Sequence, residues 1–259
     1  MIRLVVFDLD GTLAESKSPI DAETAAWLSM LLTVVDVAVI SGGDWPQFET
    51  QLLSRLPADH RLGHLSLLPT CGTKFYRHGD DEWELLYSDD LSGSERDSIV
   101  AALHAAAPPA STRDASWGDV IEDRGSQITF SALGQRAPLA AKTAWDPDME
   151  KRHRMADELA LSIPGFSVRL GGTTSIDVTK PGIDKAYGIE RLREILHVDL
   201  ADILFVGDAL YPGGNDAPVR QAGVLSIQVD GPAQARCVIE TIVACSSGLS
   251  VRAFERGAS

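Results

Sequence analysis

The strongest constraint in this chain is an aliphatic run that ends in two acids. Residues 4–7 read LVVF and pass directly into Asp8, Leu9, Asp10, Gly11, Thr12 and Leu13. A short apolar run without alternation suits a strand covered on both faces, as in a parallel sheet. Ligands of such sheets bind beyond the carboxyl ends of the strands, where Asp8 and Asp10 fall. Gly11 permits a turn that a side chain would obstruct. A bare pair of acids two residues apart could equally be a solvated turn, but the pattern recurs. Residues 203–206 form a second apolar run, ending at Gly207 and Asp208, with Tyr211, Pro212, Gly213, Gly214, Asn215 and Asp216 behind it. Adjacent parallel strands would bring Asp8, Asp10 and Asp208 together. Clustered carboxylates repel one another unless a cation joins them, and hard oxygen ligands suit Mg²⁺.

The rest of the chain reads as an α/β fold. Asp21 is placed to cap a helix over 22–32, a strand covers 34–40, and Asp44 with Pro46 opens a helix carrying Phe48, Leu52 and Leu56 on its buried side. The same alternation returns late, with a helix over 183–197, strands at 203–206 and 225–229, and a helix ending near Cys245. The residues from Ser246 on are expected to fray. The middle differs. Residues 73–77 and 83–87 suggest a hairpin around Gly79. Ser92 and Glu95 form a capping box for a helix to about Ala106, and residues 107–110 are a break. Antiparallel strands at 120–122 and 127–132 join through Arg124 and Gly125. Asp146-Pro147 starts a further helix, and strands follow at 166–170 and 175–178. The expectation is a Rossmann-like parallel-sheet core, residues 1–87 and 181–259, interrupted by an α+β insert over 88–180. A chain of 259 residues has room for one large or two modest domains.

Composition narrows the partners. Lys and Arg number 23 against 37 Asp and Glu, a net charge of −14, which repels nucleic acid and anionic membrane surfaces. Any anionic small substrate needs local basic contacts. Cys71, Cys237 and Cys245 form no CxxC pair and read as reduced thiols of a cytoplasmic protein. No apolar run is long enough to span a bilayer, and the first run is too short for a signal peptide.

Two further strings could hold a phosphoryl group. At the end of the second strand stand Ser41, Gly42, Gly43 and Asp44, a hydroxyl and open amides at a helix start; helix capping by Asp44 also accounts for them. Lys185 lies near a helix start, where its charge opposes the dipole. Such a placement suits neutralising a phosphoryl group, although a surface lysine could also stand there.

These four strings, in this order, resemble the haloacid dehalogenase superfamily of phosphotransferases, and the split core resembles members with a large cap inserted. The resemblance implies that Asp8 is the nucleophile and Asp10 the general acid and base. It further implies that Asp8, the backbone carbonyl of Asp10 and Asp208 bind Mg²⁺, with Asp216 supporting the site, and that Ser41, Gly42 and Lys185 hold the phosphoryl group. Within the superfamily, Arg124-Gly125 with the following strand, Gly134-Gln135-Arg136, the string from Gly171 to Asp177 and that from Tyr211 to Asp216 are similar to eukaryotic-type phosphomannomutases. On that resemblance Arg124 and Arg136 hold a distal phosphate, Lys142 joins them, and Ser175 and Asp177 meet sugar hydroxyls. The substrate would be a small sugar phosphate. A homodimer through the cap is implied as well, with the apolar residues over 91–103 open to serve either it or the core. Lys17 and Lys142 stand where arginines are expected, and Ser41 restores a hydroxyl usual in the superfamily's phosphatases. The largely retained distal-phosphate residues favour a mutase, with a sugar-phosphate phosphatase as the alternative and, more remotely, a non-catalytic phosphate-binding module.

Overall fold

The structure, a computed structural model, describes residues 2–57, 59–107, 117–171 and 173–246. Pro108, Pro109 and Ala110 of the expected break, Gly172, and the tail after residue 246 lie outside them. Two compact units divide the chain: Met1–Leu86 with Asp184–Ser259, and Tyr87–Ile183.

The first unit opens with β1 (Leu4–Asp8), α1 (Ala22–Leu31), β2 (Asp36–Ile40), α2 (Trp45–Gln51), β3 (Leu65–Leu68), β4 (Lys74–His78) and β5 (Trp83–Ser88). The second unit contains α3 (Gly93–Ala106), β6 (Ile121–Asp123), β7 (Gln127–Ser131), α4 (Leu139–Trp145), α5 (Glu150–Ser162), β8 (Ser167–Leu170) and β9 (Ser175–Thr179). The chain then returns to the first unit through α6 (Lys185–Leu196), β10 (Ile203–Gly207), α7 (Ala217–Gln221), β11 (Leu225–Gln228) and α8 (Pro232–Ser246).

The first unit is a seven-stranded sheet in the order β11-β10-β1-β2-β3-β4-β5. From β11 to β3 all neighbours are parallel, and β4 runs antiparallel to β3. β1 is the middle one of the five parallel strands, and every residue in it is buried. Val5 and Phe7 join a core with Leu28 and Leu31 of α1, Phe48 of α2 and Ile239 of α8. On the other face, Gly188 of α6 comes against Ile40. Helices on both faces explain why β1 reads as continuous apolar sequence. The caps form as the sequence predicts: Asp21 accepts from the Thr24 amide at 2.7 Å, Asp44 from the Trp45 amide at 2.8 Å, and Ser92 and Glu95 close a capping box. β3 was not expected from the sequence.

The second unit packs α3 and α5 against a four-stranded sheet, β6-β7-β9-β8. Period-two alternation sends Ile128, Phe130, Ile176 and Val178 into its core with Leu91, Ile99, Leu103, Met155 and Leu159. Leu91, Ile99 and Leu103, considered above for a dimer face, are core residues. The helix expected from Asp146-Pro147 begins instead at Glu150, and α4 precedes it. Pro147 disfavours helical backbone at Asp146, which lies at φ −148° and ψ 64°. Asp146 nevertheless secures α5, accepting the amides of Lys151 at 3.0 Å and Arg152 at 3.2 Å and the Arg152 guanidinium at 2.8 Å.

Both side chains of this Asp146–Arg152 pair are buried. Burial alone would raise the carboxyl, but Arg152 and the two amides hold it below the usual carboxylate range. The stability it contributes is therefore present above about pH 4 and lost as pH falls through the lowered value. Asp146→Ala, which leaves Arg152 buried without this partner, should cost about 3 kcal/mol at neutral pH. Hydrogen exchange of the α5 amides should show that loss at pH 7 and a closing gap in acid.

Candidate active site

Along the sheet the chain steps outward from β1 through β2 to β3, then returns after the second unit on the other side of β1, at β10. The strand order thus reverses between β1 and β10, the place where open α/β sheets form ligand crevices. The register pairs Phe7 with Val206, so Asp8 and Asp208 leave the sheet side by side. Gly11, at φ +83°, turns the chain back there; a Cβ on it would lie 2.6 Å from Asp208 Oδ2. The turn is tied by Gly11 N–H to the Ala14 carbonyl at 2.7 Å.

Asp8, Asp208 and Asp216 each place a carboxylate oxygen within 4.8 Å of the others. Asp8 is 3% exposed and Asp216 is fully buried, while Asp208 is half-buried. Lys185, the first residue of α6 and 1% exposed, sits between two of the acids, 2.6 Å from Asp8 Oδ1 and 2.6 Å from Asp216 Oδ1. The lysine is thus a buried cation, not a solvated surface charge. Burial would pull its ammonium down, but Asp8 and Asp216 hold it above its ordinary range. Burial pushes Asp8 up to about 7; Asp216 adds to the shift and Lys185 opposes it.

Asp216 Oδ2 also accepts the Ala209 amide at 3.0 Å, so both of its oxygens are engaged by the chain. Asp208 has an oxygen 3.4 Å from the Thr12 hydroxyl. Asp10, expected in the cluster, turns its carboxylate elsewhere: Gln47, Gln51 and the Lys17 amide donate to it. The third carboxylate of the cluster is Asp216. At the end of β2, the buried Ser41 hydroxyl accepts the Gly43 amide at 3.1 Å, and Gly42 follows it. Gln47 and Gln51 were not singled out from the sequence; their spacing of four on a helix that starts beside the site was the available signal.

The remaining expected residues belong to the second unit. Arg124 pairs with Glu122 at 2.7 Å, and Arg136 is exposed. Lys142 is buried and donates to the Gln135 carbonyl at 3.0 Å. Asp177 accepts the Thr129 hydroxyl at 2.7 Å; burial raises its carboxyl, against the opposing pull of Arg124 and that hydroxyl. Ser175 and Ser131 hydroxyls are 3.4 Å apart. Thr129, Ser131, Ser175 and Asp177 stand on the face of the sheet opposite Ile128 and Val178, and Arg124 lies near enough to Asp177 to act on its carboxyl.

The family model for eukaryotic phosphomannomutase matches residues 109–245, more than half of the chain. The chain belongs to the eukaryotic phosphomannomutase family. Phosphomannomutase 1 of Mus musculus is 28% identical over 222 residues, covering 82% of this chain and 81% of the relative. The phosphomannomutase of Encephalitozoon cuniculi is 27% identical over 237 residues, covering 88% and 89%. Among solved structures, the chain is similar to Plasmodium falciparum IMP-nucleotidase bound to IMP, with TM-score 0.67, 14% identity, and 93% and 68% of the two chains covered. A trehalose-6-phosphate phosphatase related protein matches with TM-score 0.59, 17% identity, and 94% and 98% covered. These likenesses show that the chain shares the fold of those proteins. The family member described here is an enzyme, of the mutase or the phosphatase kind. Among the described residues no helix is long and apolar enough to cross a membrane.

Lys185→Met leaves Asp8 and Asp216 facing one another without their shared cation. It should cost roughly 3–5 kcal/mol at pH 8. The loss should be smaller at pH 5, where the raised Asp8 carboxyl takes up a proton. Urea unfolding at the two pH values checks both the size and the direction.

Proposed function

We propose that this chain is a Mg²⁺-dependent phosphotransferase acting on hexose phosphates through a phosphorylated Asp8, interconverting mannose 1-phosphate and mannose 6-phosphate. The observation that carries the reading is the buried Asp8–Lys185–Asp216 arrangement beside Asp208, at the reversal point of the sheet. A nucleophilic carboxylate held by a buried ammonium is more than a binding module requires. The relatives' names supply the sugar.

The donor set fits Mg²⁺. Asp8 and Asp208 offer hard oxygens, joined on the family resemblance by the Asp10 carbonyl, and Asp216 supports them from its bonds to Lys185 and Ala209. A divalent ion bound there cancels the repulsion between Asp8 and an anionic phosphoryl group.

Lys185 fixes Asp8 Oδ1, and Oδ2 attacks phosphorus. The phosphorus–sugar oxygen bond breaks as the Asp8–phosphorus bond forms, and Asp10 gives its proton to the leaving oxygen. The Ser41 hydroxyl and the Gly42 amide steady the transferred group, together with Lys185. In the second half a sugar hydroxyl attacks that phosphorus, Asp10 takes the hydroxyl proton, and the Asp8 carboxylate is restored. Arg124 and Arg136 hold the phosphate at the sugar's far end, so that a bisphosphate is retained and turned end for end. Ser175 and Asp177 contact the sugar hydroxyls, and the protein works in the cytoplasm.

A second reading, a sugar-phosphate phosphatase in which water is the acceptor, is favoured by the Ser41 hydroxyl and by Lys142, whose ammonium lacks an arginine's planar fork for a distal phosphate. Phosphorus NMR separates the two. With Mg²⁺ and mannose 1-phosphate, a 6-phosphate signal that grows only when a hexose 1,6-bisphosphate is added establishes the mutase. Free phosphate as the main product establishes the phosphatase. Asp8→Asn should lower either product by roughly 10³-fold or more.

The metal can be tested without turnover. Asp208→Asn removes one charge from a repelling cluster and should raise the metal-free melting temperature by roughly 2–4 °C. The same variant should lose the rise that MgCl₂ gives the parent.

A further inference from the structure

Asp10 is held by groups that the proposed reaction leaves without a task. Gln47 Nε2 donates to its Oδ2 at 2.6 Å, and Gln51 Nε2 to its Oδ1 at 3.1 Å. The Lys17 amide donates to Oδ1 at 2.7 Å. Gln47 and Gln51 stand one turn apart on α2, and so share a face. Gln51 is 2% exposed, and its Nε2 also donates to the Ser18 carbonyl at 2.8 Å. That second bond fixes the amide orientation, because a flipped amide would set its oxygen against two acceptors. The arrangement has a cost: Gln51 Oε1 is buried without a hydrogen-bond partner. An unsatisfied buried acceptor is unfavourable, and an apolar residue of similar size would avoid it. Room for Gln47 is also built in, since a Cβ on Gly43 would overlap the Gln47 carboxamide.

We infer that Gln47 and Gln51 are positioning residues that aim the Asp10 carboxylate so that it accepts the proton in the second half of the reaction. The inference rests on the roles given above to Asp8 and Asp10. Amide donors on both oxygens restrain the carboxylate without touching substrate. When a hydroxyl or water attacks phosphorylated Asp8, the new oxygen–phosphorus bond forms, the Asp8–phosphorus bond breaks and the proton passes to Asp10. A misdirected carboxylate slows this step. Release of a leaving group that needs no proton is spared.

p-Nitrophenyl phosphate separates the two halves, because nitrophenolate departs unprotonated. With Mg²⁺ and enzyme in excess, Gln47→Met should release nitrophenolate in the first turnover within about twofold of the parent rate. With substrate in excess, later turnovers should fall roughly tenfold or more. Gln51→Met should show the same split, and either variant suffices if the other fails to fold. Added to Asp10→Ala, where no carboxylate remains to be aimed, Gln47→Met should change nothing further. Equal slowing of first and later turnovers, no slowing of either, or a further loss in the Asp10→Ala background would overturn the inference. A different result tests the parent reading: if the parent releases no nitrophenolate, or Asp8→Asn releases it at the parent rate, the proposed function itself falls and the inference with it.

Discussion

An ammonium buried between two carboxylates, with a third acid at the edge, is the constraint around which the first unit is organised. Taking such charges out of water is costly, and their mutual attraction offsets that cost only when the geometry is good and the remaining valences are met. The chain meets them individually. Lys185 bonds Asp8 and Asp216, the Ala209 amide takes the second oxygen of Asp216, and Thr12 lies within reach of Asp208. Three acids against one base still leave an excess of negative charge. That excess suits a cation, which on the proposed function would in turn let a strongly acidic protein draw in an anionic substrate at one point.

The four charges come from three separated stretches of chain, and the sheet brings them together. β1 delivers Asp8, β10 and the loop after it deliver Asp208 and Asp216, and the start of α6 delivers Lys185. Parallel pairing of β1 with β10 sets the register, and helices on both faces make the strands rigid. A lysine at a helix start is unfavourable by itself. Here the local penalty is outweighed by two ion pairs at 2.6 Å.

Much of this was legible in the sequence, for physical reasons that can be named. Buried strands carry continuous apolar runs, so β1 and β10 stood out, and side-chain caps leave fixed residue types, so Asp21, Asp44 and Ser92 marked their helices correctly. β3 escaped notice because Leu65–Leu68 is four residues long, with one serine and no β-branched residue. The start of α5 was misplaced because Asp146-Pro147 looks like a first turn, whereas Asp146 works from outside the helix by reaching forward with its carboxylate. The direction of the Asp10 carboxylate was not legible. It depends on two glutamines roughly forty residues away along the chain, and spacing alone does not reveal which acid they serve.

The interruption of the first unit has a consequence for how the protein is made. β1 lies inside the sheet, in the middle of its five parallel strands, yet one of its two neighbours, β10, follows the whole second unit in the chain. As the polypeptide leaves the ribosome, β1 can pair with β2 early, while its other edge stays without a protein partner until residues near 203 emerge. The second unit, contiguous in sequence, can close before that. An open apolar edge is a template for wrong pairing, and contacts of high sequence separation form slowly. During that interval Asp8 has neither Lys185 nor Asp216 beside it, so its carboxylate stays in water. A hydrated charge beside an unpaired strand is among the features that discourage edge-to-edge pairing.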